Sequence, residues 1–166
     1  HGIGLRLAER LAEKGVKIAT IYRNNDEQAS ALENKIKKLG SESLIIKGNI
    51  TDKENLKLLI ENTMNKWGKI DFLINNIGTD IWAKISELTE EQWLLSQEII
   101  LNVPFRTIKF CLPIMQSQHF GRIINIGASS KDYMKGQIAL APFGVNKAAL
   151  NILTQTIALE EISNGI

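Results

Sequence analysis

The fold is decided by VKIATIYRNNDEQASALENKIKKLGSESLIIK, residues 16–47. Residues 16–22 form an apolar, β-rich run that predicts a strand, and residues 43–47 read as a second strand. A charged helix is predicted between them, over residues 26–39, and Gly40 ends it. Short strands that alternate with helices imply parallel pairing, because parallel neighbours need a crossover connection.

The alternation continues in both directions along the chain. Before this stretch, Ile3, Leu7 and Leu11 recur at helical spacing, and Gly15 is suited to a left-handed cap. After it, the pattern predicts helices over residues 52–67, 89–116 and 142–163, and strands over residues 70–75 and 122–126. The predicted fold class is therefore α/β, a doubly wound parallel sheet covered by helices on both faces.

Local signals add detail to these elements. The helix that starts near residue 52 has Thr51 or Asp52 as its N-cap, and the long helical segment starts at a Thr89 cap. Pro104 should bend or interrupt that segment, because proline cannot donate the helical hydrogen bond. Residues 122–126 read as a short buried strand.

The two ends of the sequence lead to a further expectation about the sheet. A helix that opens with His-Gly-Ile-Gly at residues 1–4 needs a strand before it, and residues 164–166 stop where another strand would be expected. In a doubly wound sheet of order 3-2-1-4-5-6, the first strand is central. We therefore expect a sheet that lacks its first strand and its C-terminal part, with a gap about one strand wide between residues 16–22 and residues 70–75.

The composition is that of one soluble globular domain. The 166 residues are 44% hydrophobic and 23% charged, and 20 basic and 18 acidic side chains give a net charge of +2. These charges are interspersed, which argues against nucleic-acid binding. The sequence has no signal peptide and no run able to cross a membrane, and its single Cys111 forms no internal disulfide, which together indicate the cytoplasm. We expect Cys111 to be a buried structural thiol, His119 to be a solvated loop residue and metal sites to be absent.

Three motifs follow one another in a distinctive order. Gly-x-Gly at residues 2–4 opens a helix, Asn-Asn-Ile-Gly at residues 75–78 follows a strand, and Phe-x-x-x-Lys at residues 143–147 lies in the last helix. Together, over essentially the whole chain, they resemble the short-chain dehydrogenase/reductase family, most closely the bacterial 3-oxoacyl-[acyl-carrier-protein] reductases. The resemblance implies a Rossmann-like sheet, with residues 1–166 as a single, partial NAD(P)-binding domain.

The resemblance also implies a nucleotide site. The glycines let the backbone approach a pyrophosphate at a helix N-terminus. Arg23, directly after the strand of residues 16–22, can pair with a 2′-phosphate, so NADP(H) is favoured over NAD(H); the alternative is an ordinary surface arginine. The implied cofactor-binding residues are Gly2, Ile3, Gly4, Tyr22, Arg23, Asn49, Ile50, Asn75, Ile77, Gly78 and Lys147.

The catalytic positions depart from the family's pattern. Phe143 stands where the family has tyrosine, and a phenyl ring cannot give or take a proton. Ile100 stands at the position of the family's asparagine. Ala128 stands at that of its serine, although a one-residue shift would place the hydroxyl of Ser129 there. Only Lys147 is kept. Three loop residues could supply a replacement acid, although a solvated loop is the plainer interpretation: Lys131, Asp132 and Tyr133.

Two functional hypotheses follow. The first is an NADP(H)-dependent oxidoreductase that reduces a small carbonyl or acyl substrate, of the 3-oxoacyl type, with non-standard proton donation. The second is a catalytically silent NADP(H)-binding homologue that acts as a sensor or a partner subunit. A Rossmann-like methyltransferase would want an acidic residue at the position of Tyr22, and none is present there. The resemblance further implies a homodimer or homotetramer.

Overall fold

The computed structural model of the protein describes residues 2–79, 81–128 and 135–166. The chain divides into two compact units, His1–Gly68 and Lys69–Ile166. Each unit contains a parallel pair of strands together with helices, which confirms the α/β class. The interpretation of residues 1–166 as one dinucleotide-binding domain stays a prediction.

The first unit alternates helices and strands as predicted. Strands β1 and β2 are parallel, and their register runs from Ile18 opposite Ser43 to Tyr22 opposite Lys47. β1 begins two residues later than predicted. The elements are α1 Gly2–Ala12, β1 Ile18–Tyr22, α2 Asp26–Lys38, β2 Ser43–Lys47 and α3 Lys53–Trp67.

The helix ends of the first unit follow the local sequence signals. Gly15 has a φ of +76°, which confirms the predicted left-handed turn after α1. Of the two candidate caps for α3, Asp52 is the one used, since its carboxylate accepts a hydrogen bond from the backbone N–H of Glu54 at 3.0 Å. Apolar side chains from α1, β1 and α2 form the core of this unit: Ala12, Ile18, Leu32 and Ile36.

The second unit repeats the parallel pairing. Strands β3 and β4 run in register from Phe72 opposite Arg122 to Asn75 opposite Asn125. The elements are β3 Phe72–Asn75, α4 Glu90–Gln97, a π-helix Glu98–Asn102, α5 Val103–Gln118, β4 Arg122–Asn125, α6 Ala141–Glu161 and a 3₁₀ helix Ile162–Asn164. β4 is less buried than predicted, because the side chain of Ile124 is 45% exposed.

The long helical segment is interrupted near Pro104, as predicted. Its start is a complete capping box, in which the Thr89 hydroxyl accepts from the N–H of Gln92 and the Gln92 amide oxygen accepts from the N–H of Thr89. α4 gives way to the π-helix, and α5 begins at Val103 with Pro104 in its first turn, where a proline is tolerated. The π-helix itself was not predicted, and α5 continues through Pro113.

The strand pairs agree with the expected sheet order. In the order 3-2-1-4-5-6, the second strand lies beside the third, and the fourth lies beside the fifth. The pairs β1–β2 and β3–β4 correspond to these two pairs of neighbours. The gap between residues 16–22 and residues 70–75 stays a prediction. Within the described ranges, none of the helices combines the length and apolar character needed to span a bilayer.

Candidate cofactor and catalytic site

Lys147 is held where the two strands of the second unit end. It lies in α6, is only 4% exposed, and its ammonium donates to the carbonyl of Ile77 at 3.3 Å and to the carbonyl of Ile126. Ile126 directly follows β4, and Ile77 lies two residues beyond β3. Burial lowers the pKa of Lys147. With three protons and these two carbonyl partners, the ammonium keeps one N–H for a further acceptor.

Phe143 lies one helical turn before Lys147, as the sequence spacing requires. The ammonium nitrogen of Lys147 is 5.8 Å from the centre of the Phe143 ring, which is a cation–π distance. The ring is half-buried and offers neither a donor nor an acceptor. The pair therefore sets an apolar ring without a hydroxyl one helical turn before a buried lysine.

Ile100 is fully buried in the middle of the π-helix. π-helical turns are rare and are frequent at functional sites. This one packs against α6, the helix that carries Phe143 and Lys147. Ile100, which the resemblance sets at the asparagine position, is an aliphatic side chain in the core, so it contributes packing and no side-chain hydrogen bond.

The serine position is only partly described. Ala128 is half-buried and carries no polar side-chain atom. Ser129, and the alternative acids Lys131, Asp132 and Tyr133, lie outside the described residues. The structure therefore places Lys147, Phe143 and the carbonyls of Ile77 and Ile126 together, and leaves the hydroxyl of this region unassigned.

A chain of buried and half-buried polar side chains, which the sequence did not predict, joins the elements around Lys147. Asn75 donates to the amide oxygen of Asn125 at 2.8 Å and accepts from the hydroxyl of Thr107 at 2.8 Å. Asn125 in turn donates to the hydroxyl of Thr154 at 2.9 Å, and Thr154 donates to the carbonyl of Leu150 at 2.7 Å. We call these four side chains, Thr107, Asn75, Asn125 and Thr154, the polar relay; they come from α5, β3, β4 and α6.

Asn75 stays a predicted cofactor-binding residue. Its side chain is 6% exposed and is hydrogen-bonded on both sides within the protein. The signal was present in the sequence, since Asn75 and Asn125 are both the last residues of strands. The sequence alone could not predict their hydrogen bond, because the register that sets these two residues opposite each other depends on tertiary structure.

The first unit carries the predicted adenosine-side residues at the carboxyl ends of β1 and β2. Arg23 is exposed and makes no ion pair or hydrogen bond to any described residue. The side chain of Asn49 accepts from the N–H of Thr51 at 3.2 Å, so it shapes the turn before α3, and Ile50 beside it is half-buried.

Tyr22 belongs to a small charged cluster that the sequence did not predict. Its hydroxyl donates to the carboxylate of Asp26 at 2.9 Å, and the ammonium of Lys47 donates to the other oxygen of that carboxylate at 2.8 Å. The pKa of Asp26 is lowered, first by the hydrogen bond from Lys47 and then by that from Tyr22. The same carboxylate raises the pKa of Lys47 and the pKa of Tyr22.

The glycine positions have the room that a close-approaching ligand needs. Gly2 has a φ of +67°, and a Cβ built on it would meet no atom within 4 Å. The first turn of α1, which contains Ile3 and Gly4, carries no acidic residue, so nothing opposes the positive end of its dipole. A Cβ on Gly78 in the second unit would also meet nothing within 4 Å.

Cys111 is a structural thiol. It is buried in α5, and burial raises its pKa to about 12, so the reactive thiolate is scarce at neutral pH. His119 caps the C-terminus of the same helix in the left-handed conformation and is exposed, in agreement with its predicted place between a helix and a strand. No group of three or more histidine, cysteine or acidic side chains able to hold a metal ion occurs among the described residues.

Comparison with known proteins places this arrangement in a family context. The family model described as short chain dehydrogenase matches residues 1–166. A Bacillus subtilis protein named "Putative oxidoreductase YtkK" is 36% identical over 99% of the chain and 66% of its own length. The 3-oxoacyl-[acyl-carrier-protein] reductase FabG of Staphylococcus aureus is 32% identical over 100% of the chain and 67% of its own length.

A solved structure supports the fold. The crystal structure of an NAD⁺-bound xylitol dehydrogenase is 30% identical with a TM-score of 0.88, and the match covers 100% of this chain and 63% of that one. The fold is therefore Rossmann-like. The chain spans about two thirds of the length of the curated relatives it matches.

Proposed function

The chain belongs to the short-chain dehydrogenase family, and from that premise we propose that it is an NADP(H)-dependent oxidoreductase that reduces a carbonyl group of the 3-oxoacyl type. The proton would come from a donor other than the family's tyrosine. A second copy of the chain is proposed as its partner, and the cytoplasm as its location.

The observation that carries the proposal is the placement of Lys147. A buried ammonium with two backbone carbonyls as partners keeps a free N–H, which is what binding a ribose hydroxyl needs. A purely structural lysine is rarely buried without a carboxylate, and Lys147 has no ion-pair partner among the described residues. The free-energy cost of burying the Lys147 ammonium is explained if a ligand accepts a hydrogen bond from its remaining N–H.

The rest of the chain fits a dinucleotide in the same way. The open space at Gly2 and the N-terminus of α1 suit a pyrophosphate, and Arg23 is free to pair with a 2′-phosphate. When bound, the nicotinamide supplies the hydride. The chain's own contribution would be to orient it: Lys147 holds a ribose hydroxyl, and the open backbone at Gly78 leaves room beside it.

A specific observation favours a second candidate, a cofactor-binding protein without turnover. Phe143 and Ile100 are both apolar and both packed where the family's proton-handling groups would stand. The two candidates differ in one measurement, the consumption of NADPH with a panel of ketones and 3-oxoacyl thioesters. Consumption above the rate without substrate supports the oxidoreductase, and NADPH binding without any consumption supports the silent homologue.

Cofactor choice tests the nucleotide half of the proposal. The protein should bind NADPH more tightly than NADH, and Arg23→Gln should weaken NADPH binding roughly tenfold, because a hydrogen-bonded charge pair with the 2′-phosphate is lost. NADH binding should be unchanged. Dissociation constants for both nucleotides, from nucleotide fluorescence or calorimetry, check this.

The matched control for this substitution is Arg10→Gln. Arg10 is an exposed arginine in the last turn of α1 that pairs with Glu13, so the substitution removes the same charge from a side chain that does not follow β1. A tighter affinity for NADH than for NADPH, or an Arg23→Gln effect equal on both nucleotides, would contradict NADP(H) preference. Failure of the protein to bind either nucleotide would contradict both candidate functions.

Association with a second copy is supported by the outer face of α6. Val145, Ile152 and Leu159 recur every seven residues along it and are 51%, 61% and 79% exposed. The helix carries no charge between Lys147 and Glu160. A long apolar stripe without charges is typical of a helix that packs against another helix.

We expect Ile152→Asp to convert a homo-oligomer into monomers at micromolar concentration, because two carboxylates would be buried near each other at a symmetric contact. Light scattering after size-exclusion chromatography gives the mass. The matched control is Leu58→Asp, which changes an exposed leucine of α3. A wild-type protein that is monomeric, or an Ile152→Asp variant that keeps the wild-type mass, would contradict the proposed contact.

A further inference from the structure

The charged cluster of Tyr22, Asp26 and Lys47 lies at the carboxyl ends of β1 and β2. Tyr22 and Lys47 are the last register partners of the parallel pair, and Arg23 follows β1 directly. In open α/β sheets, ligands bind outside the carboxyl ends of the strands. Lys47 therefore places a second cation at the edge where the chain already carries Arg23.

We propose that Lys47 and Asp26 set the affinity for the 2′-phosphate of NADP(H): Lys47 is a second phosphate ligand, and Asp26 competes with the phosphate for it. This inference rests on the proposed function. It adds two residues that the family resemblance does not supply, since the resemblance implies only Tyr22, Arg23, Asn49 and Ile50 at this edge.

Charge explains why a second cation is needed. A phosphate monoester carries a charge of about −1.5 to −2 at pH 7, so the single charge of Arg23 leaves it partly uncompensated. Lys47 makes up the difference only if it leaves Asp26, because an ammonium held by a carboxylate is already neutralised. Both side chains of this ion pair are more than half exposed, at 56% and 64%. Exposed pairs of this kind are weak, so a phosphate can draw Lys47 away.

The local structure keeps Asp26 ionised and in place. It is the first residue of α2, where the helix dipole favours negative charge, and the Asn25 side chain caps the same turn by accepting from the N–H of Gln28 at 2.8 Å. The Tyr22 hydroxyl fixes one carboxylate oxygen and Lys47 the other. A fixed carboxylate beside the expected phosphate opposes its binding, and it does nothing against the unphosphorylated ribose of NAD(H).

Two substitutions should therefore have opposite effects on NADPH binding. We expect Lys47→Gln to weaken NADPH binding roughly tenfold, because a charge-assisted hydrogen bond to phosphate is lost. Asp26→Asn should strengthen NADPH binding roughly threefold, because Lys47 is released and a like charge is removed. Neither substitution should change the NADH dissociation constant. In the double variant, the gain from Asp26→Asn should be smaller, because the lysine that it releases is absent and only the removal of the like charge remains.

The chain offers a matched control at the other end of the same strands. Lys17 and Glu42 form an exposed ion pair at 2.7 Å, directly before Ile18 and Ser43, which are the first register partners. Glu42 lies five residues before Lys47, which in a strand is roughly 16 Å, more than the Debye length of about 8 Å at physiological ionic strength. Lys17→Gln and Glu42→Gln should therefore leave both dissociation constants unchanged.

The measurement is a set of NADPH and NADH titrations on the protein and its variants. Opposite shifts for Lys47→Gln and Asp26→Asn that are confined to NADPH support the inference. It is overturned if NADPH still binds tightly and the Lys47 and Asp26 variants behave like the Lys17 and Glu42 controls, or if NADPH and NADH shift equally. That outcome leaves the proposed function standing, whereas loss of all nucleotide binding in the unaltered protein contradicts the function itself.

Discussion

Phe143→Tyr is expected to raise the rate of NADPH-dependent carbonyl reduction by roughly 10²-fold. General acid catalysis contributes about 10²–10⁴-fold, and the lower end applies because Ile100 and Ala128 still lack the groups that would assist the new phenol. The hydroxyl would be added one turn before Lys147, whose ammonium is now 5.8 Å from the ring centre. A positive charge at that distance lowers the pKa of a phenol toward the operating pH. The measurement is kcat for NADPH oxidation with the ketone and thioester panel.

The control for this gain is Phe105→Tyr. Phe105 is an exposed phenylalanine of α5, so the substitution adds the same hydroxyl outside the candidate site and should leave kcat unchanged. The NADPH dissociation constant should be the same in wild-type, Phe105→Tyr and Phe143→Tyr proteins. A wild-type rate as high as that of Phe143→Tyr would show that an efficient proton donor already exists. A Phe143→Tyr variant that binds NADPH and stays inactive would show that the apolar site has lost more than its hydroxyl.

The sequence predicted the fold because the signals that determine it are local. The parallel pairs follow from short apolar runs separated by helices, and the helix starts follow from side chains such as Asp52 and Thr89 that satisfy free N–H groups. The interruption near Pro104 was predictable for a local reason as well. A proline is disruptive inside a helix and tolerated in its first turn, and α5 does begin at Val103, directly before it.

The site was less predictable because its contacts are between elements. Phe143 and Lys147 could be placed side by side, since both are on one helix four residues apart. The carbonyls that hold Lys147 could not, because Ile77 and Ile126 are far from it in sequence. The cluster at Asp26 was missed for the same reason. Its partner Lys47 is 21 residues away and meets it only through the register of β1 and β2.

Asn75→Ala is expected to lower the free energy of unfolding by about 2–3 kcal/mol. The substitution removes the donor of the Asn125 amide oxygen and the acceptor of the Thr107 hydroxyl, and a buried polar atom left without a partner costs about 1–3 kcal/mol. Thr107 can still donate to the carbonyl of Pro104 at 2.9 Å, so the loss is concentrated at Asn125. Urea denaturation followed by circular dichroism gives the value. Asn65→Ala, at an exposed asparagine of α3, should change the free energy of unfolding by less than about 0.5 kcal/mol.

The coupling within the polar relay is tested by removing both of its asparagines. If Asn75 and Asn125 act as a unit, the double alanine variant should be less destabilised than the sum of the two single variants, by about 1 kcal/mol, because each single substitution already breaks their shared hydrogen bond. Additive effects would contradict a relay. The same hydrogen bonds join the ends of β3 and β4, and the carbonyls that hold Lys147 lie one and two residues beyond those ends. A relay that is energetically coupled therefore also explains how a buried lysine keeps its position without a carboxylate partner.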